Sequence, residues 1–332
     1  MQAAPAAPPD RASVREVAAA PAASVALQVQ SLHKRFEGIE AVAGLGFEIQ
    51  AGEVFGLLGP NGAGKTTTIS IVSTLLRPTS GDAKVFGHSV LTDVANVRRL
   101  IGVVPQELAL YPELTGLENL RFFGRMYGVP KDELERRILR LLELVGLEGR
   151  RNDRVVTFSG GMKRRLNLAV SMVHEPKLIL LDEPTVGVDP HSRENIFTIV
   201  EQLRDAGTAI LYTTHYMEEA ERLCNRLGIM DEGKIIAMGT LDSLLAETGC
   251  SEVVEVHDLP PGVDLSGLQV AGGTCRIETH EGITRLYVNN AVRMLGPLHQ
   301  ALGRYADSVS VEIAPLSLEN LFLQLTGKDL RD

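Results

Sequence analysis

The nine residues GPNGAGKTT, Gly59–Thr67, constrain the fold of this chain more than any other stretch. They follow the apolar run EVFGLL and lead into a helix-forming segment, so the backbone must pass from a buried strand through a glycine-rich turn into a helix. The glycines let backbone N–H groups turn inward around phosphate oxygens, and the helix start adds its positive end. In such a loop Lys65 bridges the β- and γ-phosphates of a nucleotide and Thr66 holds Mg²⁺. The fold class that accommodates this turn is α/β.

A second constraint is KLILLDEP, Lys177–Pro184. Four consecutive apolar residues predict a strand buried on both faces, and ligands bind at the carboxyl ends of such strands in open parallel sheets. Asp182 at that end suits a magnesium ligand. Glu183 points differently, because side chains alternate along a strand, and suits the general base that activates water. Two further strand candidates, LIGVVPQE and TAILYTTH, deliver Gln106 and His215 to the same edge, within reach of a γ-phosphate or an attacking water.

The rest of the chain falls into segments. Residues 1–24, rich in Ala and Pro and without a basic start or a continuous apolar stretch, are expected to form a disordered tail rather than a signal peptide. Residues 25–240 alternate strands and helices, and about 112–174 is helical. Thr115 with Glu118 makes a capping box, and Leu134, Ile138, Leu141, Leu142 and Val145 recur at helical spacing before Gly146. Residues 241–332 change to VVEV, CRIETH, TRLYV and SVSVEI as strand candidates, with helices near Val292–Tyr305 and from Ser317, which predicts a small α+β domain.

Composition excludes several classes. The net charge of −9 argues against a nucleic-acid binder, which needs a basic face. No run approaches the roughly eighteen apolar residues of a membrane-spanning helix. Cys224, Cys250 and Cys275 form no CxxC pair, so neither a disulfide framework nor a zinc site is expected and a reducing cytoplasm is the natural compartment.

Taken in order, GPNGAGKTT, VVPQE, FSGGMKRR, LILLDEPTVGVD and TTH resemble the motifs of the ATP-binding subunit of ABC transporters, over residues 26–240. The ending SLENLFLQLTG and the phrase PTVGVDPHSR resemble the ATPases of type-two exporters, the daunorubicin-resistance-like group. This resemblance implies a P-loop NTPase fold of ABC type, with a mixed, mostly parallel sheet, an antiparallel β subdomain and a helical subdomain. It implies that Gly59, Asn61, Gly62, Gly64, Lys65, Thr66 and Thr67 hold ATP, that Gln106 is the Q-loop residue and joins Thr66 and Asp182 around Mg²⁺, and that His215 is the switch histidine. Ser159–Lys163 is then the signature and Val186–Asp189 the D-loop. Phe36 is implied to stack on adenine; its aromatic ring suits either that role or the core.

The signature FSGGMKRRLNLAV raises its own question, since it reads as a second anion site. In the resembled family two ATPase subunits meet head to tail, so Ser159, Gly160, Gly161 and Asp189 face the partner's ATP, and a two-fold homodimer repeats the site. The further partners implied are membrane permease subunits, which would hold the protein at the cytoplasmic face. The alternative is a soluble ABC-type clamp or switch without a permease. Phe122, Phe123, Met126 and Tyr127 gather in LRFFGRMYG, either as a groove for a partner helix or as the subdomain's own core. Met162 stands where the family's common form has glutamine, so a side-chain hydrogen bond from that position is absent.

Overall fold

The computed structural model describes residues 24–326 except 261, 262, 264, 266, 269–273, 281 and 307. The expected tail therefore lies outside the described residues apart from Ser24. The chain opens with a hairpin, β1 (Val25–Phe36) and β2 (Ile39–Gln50), reversed by the left-handed pair Glu37 and Gly38. Then come β3 (Val54–Leu58), α1 (Lys65–Val72), β4 (Ser80–Val85), β5 (His88–Ser89), α2 (Val94–Leu100) and β6 (Ile101–Val104). The helices α3 (Gly116–Met126), α4 (Lys131–Leu144) and α5 (Gly160–Met172) follow, and α3 starts with the expected Thr115–Glu118 capping box.

Next are β7 (Leu178–Asp182), α6 (Pro190–Asp205), β8 (Ala209–Thr214), α7 (Met217–Leu223), β9 (Arg226–Asp231) and β10 (Lys234–Gly239). After α8 (Leu241–Glu247) the chain forms β11 (Glu252–His257), β12 (Thr274–His280), β13 (Ile283–Val288), α9 (Ala291–Leu302), β14 (Ser310–Pro315) and α10 (Leu318–Thr326).

Three sheets result, ordered β2-β1-β4-β5, β10-β9-β3-β8-β7-β6 and β12-β13-β11-β14. The first and third are antiparallel; the central one is parallel from β9 to β6, with β10 antiparallel at its edge. Every residue of β3, β7 and β8 is buried, as their uninterrupted apolar runs require. One face of the central sheet, with Phe55, Leu57, Leu178 and Leu211, packs on the β1–β2–β4 layer; the other, with Val54, Ile179, Leu181 and Tyr212, packs on α3 to α6. All carboxyl ends of β3, β6, β7 and β8 thus lie at one edge.

The C-terminal segment returns to this core. Leu318, Leu321 and Phe322 of α10 are buried with Leu58, Ala220, Leu227, Ile229 and Leu244, and Leu318 N donates to Glu221 Oε1 of α7 at 2.9 Å. The expectation of no disulfide is corrected at Cys250, which is disulfide-bonded, whereas Cys224 is free.

Candidate nucleotide site

The loop between β3 and α1 is built around Lys65. Its side chain is 4% exposed, and Nζ donates to Gly59 O at 2.7 Å and Pro60 O at 3.1 Å, so the ammonium props the loop from inside. Gly64 caps α1 with φ of 104°, and a Cβ there would meet Ala41 O at 2.3 Å. Only glycine fits that position. An open pocket of about 230 Å³ is lined by Ala41, Asn61, Gly62, Gly64, Lys65, Thr66, Thr67, Gln106 and Glu183. All six of the loop residues expected to hold ATP after Gly59, together with Gln106 and Glu183, therefore converge there.

The two acids at the end of β7 are held differently. Asp182 is buried, and its Oδ1 accepts from Thr213 Oγ1 at 2.8 Å and from Thr66 Oγ1 at 3.2 Å. Burial pushes its carboxyl above the usual range, with the two hydroxyls opposing that rise. Thr66, Asp182 and the Gln106 amide offer hard oxygen donors, and a divalent cation beside Asp182 would offset the cost of burying its charge; the set fits Mg²⁺.

Glu183, 4% exposed, has φ of 46°, a left-handed backbone that a non-glycine residue adopts at a cost. Its N–H lies 3.2 Å from Thr213 O and 3.1 Å from Thr213 Oγ1, which fixes the turn. The reversal points the carboxylate back over the loop, where Oε1 lies 3.1 Å from Lys65 Nζ and 3.3 Å from His215 Nδ1. Gln106 Nε2 donates to Oε2 at 3.4 Å. The sequence placed Glu183 by strand alternation; the structure places it by a strained turn just beyond the strand.

Phe36 is 43% exposed at the end of β1, with Lys34 Nζ 4.9 Å from its ring centroid. It is a surface aromatic and not a core residue, and it does not line the pocket. Ser159 caps α5, its Oγ accepting from Met162 N at 3.2 Å, and Ser159 and Gly160 are exposed. Gly161 is buried: a Cβ there would meet Ser192 Oγ at 2.0 Å, because the starts of α5 and α6 touch. Asp189 caps α6 by accepting from Ser192 N at 3.0 Å, which holds its carboxyl below the usual range. These residues do not line the pocket. Met162 packs sideways against the helical core instead.

In the aromatic cluster, Phe123 joins that core, whereas Phe122, Met126 and Tyr127 are 38%, 68% and 46% exposed. Phe122 and Met126 line an open hollow with Leu114, Glu118, Arg121 and Arg125. The alternatives of core and groove are thus divided among the four residues.

Arg164 was not singled out in the sequence. Inside the basic run KRR it turns inward, 7% exposed, and NH1 donates to Pro105 O at 3.1 Å and Gln106 O at 2.8 Å. Burial holds its pKa down. Its position at i+5 from the cap Ser159 is the only signal, and helical phase alone cannot choose among three consecutive cations. Thr213 was also missed, hidden in an apolar strand as the first of two threonines.

The family profile described as "ABC transporter" matches residues 42–186. Among curated proteins, the linearmycin resistance ATP-binding protein of Bacillus subtilis is 41% identical over 312 residues, covering 92% of this chain and all of its own length. The daunorubicin/doxorubicin resistance ATP-binding protein of Streptomyces peucetius is 38% identical, covering 92% of this chain and 94% of its own. Among solved structures, an ATP-binding subunit of an ABC transporter superposes with a TM-score of 0.62 at 33% identity, covering 67% of this chain and 93% of its own. A dimeric ATP-binding cassette in a post-hydrolysis state with ADP and phosphate superposes with a TM-score of 0.60 at 26% identity, covering 65% and 98%.

Proposed function

Because the chain belongs to the ABC transporter family, we propose that it is the ATP-hydrolysing subunit of an exporter, working as a head-to-tail dimer beneath separate membrane permease subunits. Residues 25–240 are the cassette and 241–332 an accessory domain; the tail precedes them. The observation that carries the catalytic reading is Glu183, held in a left-handed turn with its carboxylate between Lys65, Gln106 and His215.

Lys65 and the loop amides bind the phosphates, and Thr66, Asp182 and Gln106 would hold Mg²⁺, which would supply positive charge to neutralise that developing on the phosphates. Glu183 accepts the proton of the attacking water, and His215 orients the γ-phosphate and that water. Phe36, exposed at the end of β1, stacks on adenine from the surface. Ser159, Gly160, Gly161 and Asp189 of one copy close over the other copy's ATP, so γ-phosphate contacts from both copies favour the closed dimer and hydrolysis releases it.

The hollow of Phe122 and Met126, rimmed by Arg121, Arg125 and Glu118, receives a permease helix at the cytoplasmic face. Among the described residues no helix is long and apolar enough to cross a membrane, in keeping with a separate permease. The cargo is a drug or a lipid- or polysaccharide-like molecule, and the two relatives, named for resistance to linearmycin and to daunorubicin or doxorubicin, favour the first of these. The test is Glu183→Gln: it should bind ATP and accumulate as an ATP-dependent dimer with little turnover. Hydrolysis at the parent rate would remove Glu183 from the role of base. Purification from solubilised membranes should bring down a multi-span protein; a solely soluble companion would favour a clamp instead.

A further inference from the structure

The carboxylate of Glu219 on α7 is 1% exposed and stands outside the nucleotide pocket. Its oxygens accept from three hydroxyls: Thr185 Oγ1 at 2.6 Å, Tyr212 Oη at 2.9 Å and Thr214 Oγ1 at 3.0 Å. Arg193 Nε of α6 lies 3.8 Å from Oε1. A charge this deep is retained only where every lone pair is answered, and the donors are placed where the site is most constrained. Thr185 is two residues beyond Glu183, and Thr214 directly precedes His215. Thr214 Oγ1 in turn accepts from Tyr216 N at 2.9 Å, so the turn holding His215 is tied on both sides. Burial and the neighbouring Glu219 charge push the Tyr212 hydroxyl well above its usual pKa, which keeps it a donor.

Strain of the kind seen at Glu183 survives only when the surroundings over-determine it. Thr213 fixes the backbone before the turn; after it, Val186 N donates to Glu183 O at 3.3 Å and the Thr185 side chain is anchored to Glu219. Resting on the reading of Glu183 as base, we propose that Glu219 is a positioning residue that clamps the turns carrying Glu183 and His215 to one another, and so sets the 3.3 Å approach of their side chains. It acts through hydrogen bonds to hydroxyls, not as a proton acceptor. Because α7 is packed on α10, the clamp also sits between the catalytic turns and the C-terminal segment.

The test uses the full chain with Glu219→Ala, Glu219→Gln and Thr185→Val. Glutamine can direct its carbonyl to Tyr212 and Thr214 while Thr185 reverses its hydroxyl to accept from the amide, so all three bonds survive. Misplacing a catalytic group by about 1 Å costs on the order of 100-fold, so Glu219→Ala and Thr185→Val should lower kcat at least tenfold. KM for ATP and nucleotide affinity should stay within twofold, because the phosphate loop is not touched. Glu219→Gln should recover kcat to within threefold of the parent. In a Glu183→Gln background Glu219→Ala should cause no further fall.

A Glu219→Ala protein that does not fold leaves Thr185→Val, nearly isosteric, to decide. Parent kcat in a folded Thr185→Val, or a rise in KM with kcat intact, overturns the clamp. Full turnover by Glu183→Gln alone would overturn the base instead, and that outcome is read separately.

Discussion

The two signature glycines make a prediction in which stability and activity should part. An alanine Cβ at position 161 would fall 2.0 Å from Ser192 Oγ and 2.4 Å from its Cβ, where contacts between such atoms settle near ~3.5 Å. Ser192 Cβ is fixed to the backbone, so rotation of its side chain cannot relieve both contacts and α5 must draw back from α6. Overpacking of this kind costs about 1–3 kcal/mol. Ser192→Gly removes both obstructing atoms, at up to about 1 kcal/mol for glycine in a helix. Urea unfolding of the four proteins of the cycle should show Gly161→Ala costing ~2 kcal/mol alone and little in the Ser192→Gly background, a coupling well above the ~0.5 kcal/mol expected of independent sites. Hydrolysis should recover with stability, since the added methyl points at Ser192 within the same chain. Gly160 has open space beyond its Cβ, so Gly160→Ala should unfold like the parent yet lose ATP-dependent dimerisation. Additive costs in the cycle, or Gly160→Ala unfolding early with dimerisation intact, would refute this division of labour.

Further expectations concern positions away from that contact. Arg164→Met should loosen the Pro105–Gln106 carbonyls it holds and lower kcat while circular dichroism stays that of the parent; unchanged turnover would show the tie to be dispensable. Phe322, fully buried against α7, α8 and the central sheet, should cost about 3–5 kcal/mol as Phe322→Ala, seen as accelerated proteolysis after α9 before the cassette unfolds. His174 is stacked on Tyr127, with Nε2 2.8 Å from Ile101 O and Nδ1 buried without a partner. Burial holds its folded pKa below 6.5, so its contribution to stability is full above 6.5 and is lost as pH falls below it, because the unfolded chain protonates first. The parent's urea midpoint should drop between pH 7 and 5 more than that of His174→Gln; equal slopes would exclude His174 as the cause.

What the sequence reveals about this site follows the range of the interactions involved. The turn of GPNGAGKTT could be read because it rests on backbone conformation and one helix start, both local. LILLDE could be read because a strand buried on both faces admits no polar residue except at its end. The C-terminal strands and helices could be read from alternation and caps, but the return of α10 to the core could not: Leu318, Leu321 and Phe322 show an apolar face without saying what covers it. The same limit hid Glu219 and Arg164. Each is one charge among neighbouring charges, in EEAE and KRR, and only the fold decides which of them turns inward. Gly161 was read as clearance for a nucleotide, whereas the nearest obstruction is Ser192, contributed by a helix that begins 29 positions later.

The contact between Lys65 and Glu183 carries a consequence for the order of events. Lys65 Nζ has its donors directed at Gly59 O, Pro60 O and Glu183 Oε1, so on the proposed function a γ-phosphate must take the third of these from Glu183. Unit charges 4 Å apart attract by about 4 kcal/mol at an effective dielectric near 20, and desolvation consumes much of that in a buried pair. The surplus opposes phosphate entry, yet its loss releases Glu183 Oε1 toward water and His215. The base is thus occupied until the phosphate that needs it has arrived, which protects against nothing in the protein but orders binding before proton transfer. A neutral amide cannot compete for Lys65 in the same way, so Glu183→Gln should bind ATP more tightly than the parent, on the order of tenfold, when both are measured as monomers by fluorescence titration at low protein concentration. Equal or weaker binding by the variant would mean that the ion pair does not compete with the phosphate, and that the tight dimer expected of this variant must come wholly from arrested hydrolysis.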